Sequence, residues 1–245
     1  MNSAHFVLDV DGIRVPLKVI VEKRNGARVS LGGKHVILRV PLQLFGSDYS
    51  QHVTWASNWL RQLKITKPGV LERYLEKKHY ADGDVFSIGG QHFLLEFIEK
   101  DTPSGIIKLM HEGVLRVTLP TQTGYNRQKL IKNLLIRFSQ RYFLSDMHRR
   151  VHYFNDRYFN KEIESVRLKY NTSNWGSCST GKNLNFSVRL YFAPDEVINY
   201  VVIHELAHLV EMNHSPRFWK IVADIMPDYK DKEKILKINS ATYDF

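Results

Sequence analysis

The residues best suited to chemistry lie in one short stretch near the end of the chain. His204 and His208 are four positions apart, and Glu205 directly follows the first of them. On an α-helix this spacing brings both imidazoles to one face, about 6 Å apart along the axis, so both can bind one metal ion. Glu205 lies beside them without being needed as a ligand. This pattern is typical of zinc hydrolases, in which the glutamate takes a proton from an activated water.

A third histidine follows where the chain is expected to leave the helix. His214 comes six residues after His208, and Ser215-Pro216 indicates a turn there. A ligand from outside the helix would leave a fourth position open for water, as catalytic zinc sites require. Ordinary structural roles for the three histidines explain less, because zinc chemistry accounts for the helix, the glutamate and the third histidine together. The sequence therefore predicts one Zn²⁺ held by His204, His208 and His214, with Glu205 as general base.

Local signals predict the helix that positions these groups. Pro194 opens it at a position where the missing N–H costs nothing. Asp195 and Glu196 in the first turn complement the helix dipole. The apolar residues Val197, Val201, Val202 and Leu206 continue it as far as the histidines. Ser215-Pro216 then begins one more helix, with a capping serine followed by proline at the first helical position.

Two predicted strands flank a Gly/Ser loop ahead of this helix. Residues 166–170 and 184–192 have strand character, and the loop between them contains Trp175-Gly176-Ser177-Cys178. Cys178 is the only cysteine, so an intrachain disulfide and a cysteine-based zinc finger are both excluded. No base that would stabilise a thiolate is indicated. Cys178 is therefore expected to be a small buried side chain.

The rest of the chain predicts an α+β fold. Residues 28–31 and 36–40 alternate like half-buried strands, 48–64 has helical spacing, and 82–119 returns to strands. Residues 125–158 predict a long helix or two in series. This change from strand patterns to helix patterns divides the chain into a β-rich region, 1–124, and a metal-binding catalytic region, 125–245. The two regions could also form one compact unit. No internal repeat is visible in the sequence.

Composition and charge limit the cellular setting and the partners. With 43% hydrophobic residues in 245, the chain can bury a core without disulfides. Asp9 and Asp11 interrupt any signal-peptide core, and no apolar run is long enough to span a membrane. A cytoplasmic protein with no membrane partner is expected. The net charge of +10 favours phosphate-bearing or acidic ligands.

Most of that charge lies in one segment, residues 125–170. It carries 11 Lys+Arg and four acids, which makes +7 of the chain's +10. Arg149-Arg150, with Tyr153 and Tyr158 nearby, could contact phosphates and stack on bases. The alternative is the solvated face of a long helix. A nucleic-acid or nucleotide partner through this segment is one hypothesis, and a peptide or protein substrate is the other.

Several motifs together resemble the YgjP-like metallopeptidases, relatives of the WLM and SprT-like zinc proteases. The residues that carry the resemblance are Trp175-Gly176-Ser177-Cys178, Asn185, Arg189-Leu190, Ala193-Pro194, 199–208, His214-Ser215 and Phe218-Trp219. The resemblance implies a zincin-like catalytic half with His204, His208 and His214 as ligands and Glu205 as general base. It also implies that Trp175, Ser177 and Asn185 lie near the substrate. The family often has Asp where this chain has Asn199.

Three functions follow as hypotheses. The first is a zinc-dependent metallopeptidase, in which Glu205 accepts a proton from the activated water and later delivers it to the leaving amine. The second keeps the site but attacks a phosphoanhydride, so that a nucleotide is hydrolysed. The third is a nucleic-acid-associated protein with a structural metal. It fits less well, because structural zinc sites normally have four protein ligands.

Overall fold

The chain divides into two units. The computed structural model describes residues 3–44, 48–67, 70–71, 74, 78–122, 126–240 and 242–245, without the side chain of Glu112. The first unit is Met1–Lys77 with Lys237–Thr242, and the second is Lys78–Leu236 with Tyr243–Phe245. This division falls earlier than the boundary expected at residue 124. The reason is that the strands between 85 and 120 share one hydrophobic core with the helix after them.

The first unit is a four-stranded sheet with one helix. Its elements are β1 (Ser3–Val10), β2 (Ile13–Glu22), β3 (Arg28–Leu31), β4 (Val36–Pro41) and α1 (Ser50–Thr66). The strand order is β1-β2-β4-β3, with β2 and β4 parallel and the outer pairs antiparallel. Alternate residues of β2 and β4 are buried with Ala56 and Leu60 of α1. The structure thus has the strands predicted at 28–31 and 36–40 and the helix predicted at 48–64.

The second unit begins with a sheet of the same topology. Its strands are β5 (Val85–Ile88), β6 (Gln91–Lys100), β7 (Ile106–Leu109) and β8 (Val114–Pro120). Their order is β5-β6-β8-β7, again with a parallel central pair. A helix follows each sheet in the chain. The two sheets therefore have the same topology, although the sequence shows no repeat. Each sheet needs only alternating buried and exposed residues along its strands, and many different sequences supply that pattern.

One long helix, α2 (Arg127–Phe154), follows this sheet and continues into a π-helical turn, Asn155–Phe159. It begins at Asn126, whose side chain accepts a hydrogen bond from the backbone N–H of Lys129 at 2.9 Å. The predicted helix, 125–158, agrees with it, although residue 125 lies outside the described residues. Leu134, Leu135 and Met147 are buried as its apolar stripe requires.

A small third sheet precedes the helix of the histidines. It consists of β9 (Ser165–Lys169), β10 (Gly176–Cys178) and β11 (Asn183–Ser187), in the order β10-β11-β9. The strand predicted at 184–192 is too long, since Val188–Phe192 forms a 3-10 helix. Four consecutive residues there, 188–191, are buried. A strand with one solvated face cannot bury consecutive side chains, so the chain turns instead.

Three helices complete an α+β architecture: α3 (Asp195–Ala207), α4 (Pro216–Ile225) and α5 (Tyr229–Asn239). As predicted, Pro194 directly precedes α3, with Asp195 and Glu196 in its first turn. Ser215 caps α4 by accepting a hydrogen bond from the backbone N–H of Phe218 at 3.3 Å. Among the described residues, every helix is too short or too polar to cross a bilayer.

Candidate metal centre

The last turn of α3 carries two of the candidate ligands. His204 lies within the helix, and His208 follows its last residue with backbone angles that are still helical, φ −66° and ψ −20°. The two side chains therefore emerge one turn apart on the same face. Nine of the 13 residues of α3 are buried, so the core of the second unit surrounds the helix on several sides. This packing fixes where the two histidines point.

The third histidine comes from the connection between α3 and α4. His214 is exposed and precedes the capping residue of α4. Its Nε2 atom lies 3.0 Å from Nε2 of His204. One ring nitrogen from each of the three histidines falls within 4.8 Å of the others. The structure thus brings together the three residues that the sequence predicted as ligands.

Burial favours the neutral form of two of these imidazoles, those of His204 and His208, and the neutral form is the one that binds metals. Burial, with smaller contributions from His208 and His214, lowers the pKa of His204 to about 3. Burial also lowers the pKa of His208, against an opposing hydrogen bond to Glu211. The Nδ1 atom of His208 lies 3.1 Å from the Glu211 carbonyl oxygen. Donation to that carbonyl leaves the His208 Nε2 lone pair available, so the donor set suits Zn²⁺ or a similar cation.

Glu205 lies between α3 and strand β10. Its residue is only 5% exposed, and burial raises the pKa of its carboxyl to about 8. The backbone of Gly176 in β10 packs directly against it, since a Cβ atom there would lie 2.5 Å from Glu205 Oε1. A carboxyl group with a pKa near neutrality is suited to both accept and return a proton.

Aromatic rings surround the histidines on the side of α4. Phe218 is fully buried and stacks on His208, with ring centroids 4.5 Å apart. Trp219 stacks on His214 at 5.5 Å. From the sequence, Phe218 and Trp219 are named only as part of the family resemblance, and no role is predicted for either ring. The signal that could have assigned one is their position in the first turn of the helix that follows His214.

The three predicted substrate residues lie in or beside strands β10 and β11. Ser177 pairs with Asn185 across the two strands, and their side chains are 3.5 Å apart. Strand alternation puts both on the face opposite to Gly176 and Cys178. The Trp175 ring packs on the guanidinium of Arg189 at 4.7 Å. A substrate role for Trp175, Ser177 and Asn185 stays a prediction.

Gly176 has no role of its own among those predicted from the sequence. An isolated glycine inside a strand often marks a close approach of another group, and here that group is Glu205. Cys178, two residues on, is half-buried rather than fully buried and packs against the core. Burial, with the nearby Glu205 charge, raises the pKa of its thiol to about 11. A thiol of this kind is a poor nucleophile, in agreement with the structural role expected for it.

Arg150 of the basic segment is engaged within the protein. Its guanidinium donates to Asp146 at 2.6 Å, to Asp195 at 2.8 Å and to Asn199 at 2.8 Å. Asn199 therefore ties the start of α3 to α2 rather than contacting the ligands. Arg149 also pairs with Asp146. Because Arg149 and Arg150 already have carboxylate partners, the geometry gives no support to nucleic-acid binding through these two residues.

Comparison with known proteins adds a family. The model of the YgjP-like metallopeptidase domain matches residues 25–239. Two metallopeptidase zymogens are among the similar solved structures. Abylysin of Pyrococcus abyssi is 22% identical, with a TM-score of 0.34, over 37% of this chain and 91% of its own. Jannalysin of Methanocaldococcus jannaschii is 20% identical, with a TM-score of 0.32, over 38% and 94%. No curated protein matches.

Proposed function

The chain belongs to the YgjP-like metallopeptidase family, and from this membership we propose a zinc-dependent peptidase with its metal on His204, His208 and His214. The observation that carries the proposal is the convergence of three imidazoles beside a buried glutamate. Three nitrogen ligands with a free fourth position are the pattern of catalytic zinc sites. A structural zinc site would normally be closed by a fourth protein ligand, which the described residues do not offer.

The metal and Glu205 have complementary tasks. When bound, Zn²⁺ supplies Lewis acidity, which polarises the scissile carbonyl and makes a water molecule acidic enough to attack it at neutral pH. Glu205 accepts the proton from that water at a carboxylate oxygen. The same carboxyl group then delivers the proton to the leaving amine.

Strand β10 supports a peptide as the substrate. It is an edge strand: in the part of the chain that the structure describes, only β11 pairs with it. An extended peptide recognises such an edge through backbone hydrogen bonds, which depend little on its sequence. Gly176 of β10 packs against Glu205, so a peptide on this edge would run beside the general base. This arrangement favours a peptide over a nucleotide, whose phosphates need positive charge.

The proposal is tested by separating metal binding from turnover. Wild type is expected to bind one zinc per chain and to hydrolyse casein in a chelator-sensitive manner. Glu205→Gln should keep the zinc and lose about 10²- to 10⁴-fold in rate, the contribution of a general base. His208→Ala should lose the metal. His152→Ala, the same change at an exposed histidine of α2, is the matched control and should change neither property.

Three results would contradict the proposal. Full activity in Glu205→Gln would remove the glutamate from the mechanism. Absence of zinc from the wild type would remove the metal site altogether. Chelator-sensitive cleavage of nucleoside triphosphates, with casein left intact, would replace the peptidase by the phosphoanhydride hydrolase considered from the sequence.

A further inference from the structure

His214 is the exposed one of the three candidate ligands and lies outside any helix. His204 is held within α3, although its buried Nδ1 atom has no hydrogen-bond partner among the described residues. Histidines that bind metals usually donate their second ring N–H to a fixed acceptor, which orients the ring. His208 has such an acceptor in the Glu211 carbonyl. For His214, the described part of the chain offers no hydrogen bond to Nδ1, and the residue is exposed outside any helix. Its Nε2 atom contacts Nε2 of His204 at 3.0 Å, but a metal ion bound by both atoms would replace that contact. Among the described residues, ring packing is then left to orient the imidazole.

A stack of aromatic rings lies against His214. The indole of Trp219 is nearly parallel to the imidazole, with ring centroids 5.5 Å apart and an interplanar angle of 24°. Tyr229 of α5 also stacks on this tryptophan, at 5.3 Å and 17°. Trp219 thus packs against two rings, and a tilt of its indole would disturb both contacts.

The stack leads back to the helix that carries the first ligand. Tyr229 stacks in turn on Tyr200 of α3 at 6.4 Å and 22°. Tyr200 lies one helical turn before His204, and these two rings are 5.9 Å apart. The rings therefore form a continuous path from α3, through α5 and α4, to the ligand outside the helix.

The base of the tryptophan is itself fixed. Trp219 lies in the first turn of α4, which Ser215 caps and Pro216 begins. Its neighbour Phe218 is completely buried and stacks on His208. The Phe218 ring also lies edge-on to His204 and His214, with centroids 4.8 Å from each. One short helix thus supports all three candidate ligands, and Trp219 adds the near-parallel stack on His214.

We propose that Trp219 is the positioning residue for His214: it orders the exposed imidazole in its metal-binding orientation before the ion arrives. This inference rests on the proposed three-histidine metal site. A ligand that is already ordered loses less conformational entropy when the metal binds, so affinity is higher. Removing the outer support of a metal ligand typically weakens metal binding about 10- to 100-fold.

The test measures zinc affinity, not turnover. Metal-free full-length protein is titrated with Zn²⁺ in competition with a chromophoric chelator. Trp219→Ala should bind zinc about 10- to 100-fold more weakly than the wild type. Trp219→Phe keeps a flat ring on His214 and should recover most of the affinity. Trp55→Ala makes the same change at an exposed tryptophan of the first unit and should leave the affinity unchanged.

Two further measurements separate positioning from general destabilisation. The free energy of unfolding of each metal-free variant shows whether the fold is intact, and the visible spectrum of the Co²⁺-loaded protein reports ligand geometry. If Trp219→Ala does not fold, Trp219→Leu replaces it, since leucine fills space but does not stack. Affinity lower in Trp219→Leu than in Trp219→Phe then supports the inference.

The contrary results are distinct from one another. Wild-type affinity and an unchanged Co²⁺ spectrum in a folded Trp219→Ala or Trp219→Leu variant overturn the role of Trp219 but leave the metal site standing. Failure of the wild type to bind zinc overturns the proposed function, and this inference with it.

Discussion

The backbone of Gly176 and the carboxyl group of Glu205 are in direct contact. A Cβ atom built on Gly176 would lie 2.5 Å from Oε1, 2.7 Å from Cγ and 2.8 Å from Cδ of Glu205. All three distances are too short for non-bonded atoms, so no residue except glycine fits without moving the glutamate. The position of the Glu205 carboxyl group therefore depends on a glycine at this point of strand β10.

Replacing Gly176 by alanine should reduce catalysis without removing the metal. The new methyl group must push the Glu205 carboxylate aside, and a displacement of about 1 Å of a reacting group costs up to about 100-fold in rate. We expect kcat/KM for casein-derived peptides to fall about 10- to 100-fold, with zinc stoichiometry unchanged. Gly33→Ala is the matched control, because a Cβ atom at Gly33 meets nothing within 4 Å. Equal activity in the two variants would contradict the contact.

Cys178 should react slowly with alkylating agents. Burial, together with the Glu205 charge, raises the pKa of its thiol from 9.0 to about 11. At about pH 8 the thiolate fraction is then roughly 100-fold smaller than for an ordinary thiol, and iodoacetamide labelling should slow accordingly. Mass spectrometry of native and urea-denatured protein gives the ratio. In Glu205→Gln the labelling should be faster than in the wild type, because one source of the raised pKa is gone. Labelling of the native protein at the denatured rate would refute this prediction.

Asp146 should make stability depend on acid pH. Burial raises its pKa, but hydrogen bonds from Arg150, Arg149 and Tyr191 outweigh this and hold the pKa below the ordinary value of 3.8. A lowered native pKa means that the stabilisation is fully present well above 3.8 and disappears as the pH falls through the native pKa. In the pH range of full stabilisation, Asp146→Asn should lose about 1–2 kcal/mol of unfolding free energy, since Arg150 keeps only part of its partners.

Urea unfolding of chelator-treated protein at several pH values measures this effect. The difference between wild type and Asp146→Asn should shrink as the solution becomes more acidic than the ordinary pKa of 3.8. Asp224→Asn removes a carboxylate from an exposed pair with Lys220 and should change stability very little. A constant difference at every pH would show that the charge of Asp146 is not what stabilises the fold.

Arg189 should not tolerate lysine. Its guanidinium donates to the Tyr243 carbonyl at 2.6 Å and to the Asn171 carbonyl at 3.2 Å, and it packs on the Trp175 ring. A lysine ammonium has no planar fork with which to make these contacts together. Because the site is buried, we expect Arg189→Lys to lower the unfolding free energy by about 2–3 kcal/mol in urea titrations. Arg141→Lys, on the exposed face of α2, should be neutral. Equal unfolding free energies of the two variants would show that the contacts of the Arg189 guanidinium do not stabilise the fold.

Short-range signals in the sequence predicted the framework of the site well. The helix of His204 and His208, its start after Pro194 and the Ser215 cap of α4 are all present in the structure. Each depends on residues within one or two turns of chain: a missing N–H, a capping hydroxyl, or a helical spacing. Such interactions do not need the rest of the fold, so the sequence alone reveals them.

Features that depend on residues distant in sequence could not be predicted in this way. The strand expected at 184–192 ends at Ser187, where the chain turns to bury residues 188–191 in a core built by other elements. The repeated topology of the two four-stranded sheets likewise emerges only from strand pairing. The division of the chain after Lys77 depends on which strands share a core with α2.

The sequence by itself determined which groups could do the chemistry: three histidines and one glutamate at spacings that local helix geometry makes meaningful. Only the tertiary structure decided how those groups are supported. Gly176 and Glu205 are 29 positions apart in the chain, as are Tyr200 and Tyr229, and they meet because hydrophobic burial brings their elements together. Burial is non-directional, so the sequence reveals which side chains will be inside but not which of them will touch.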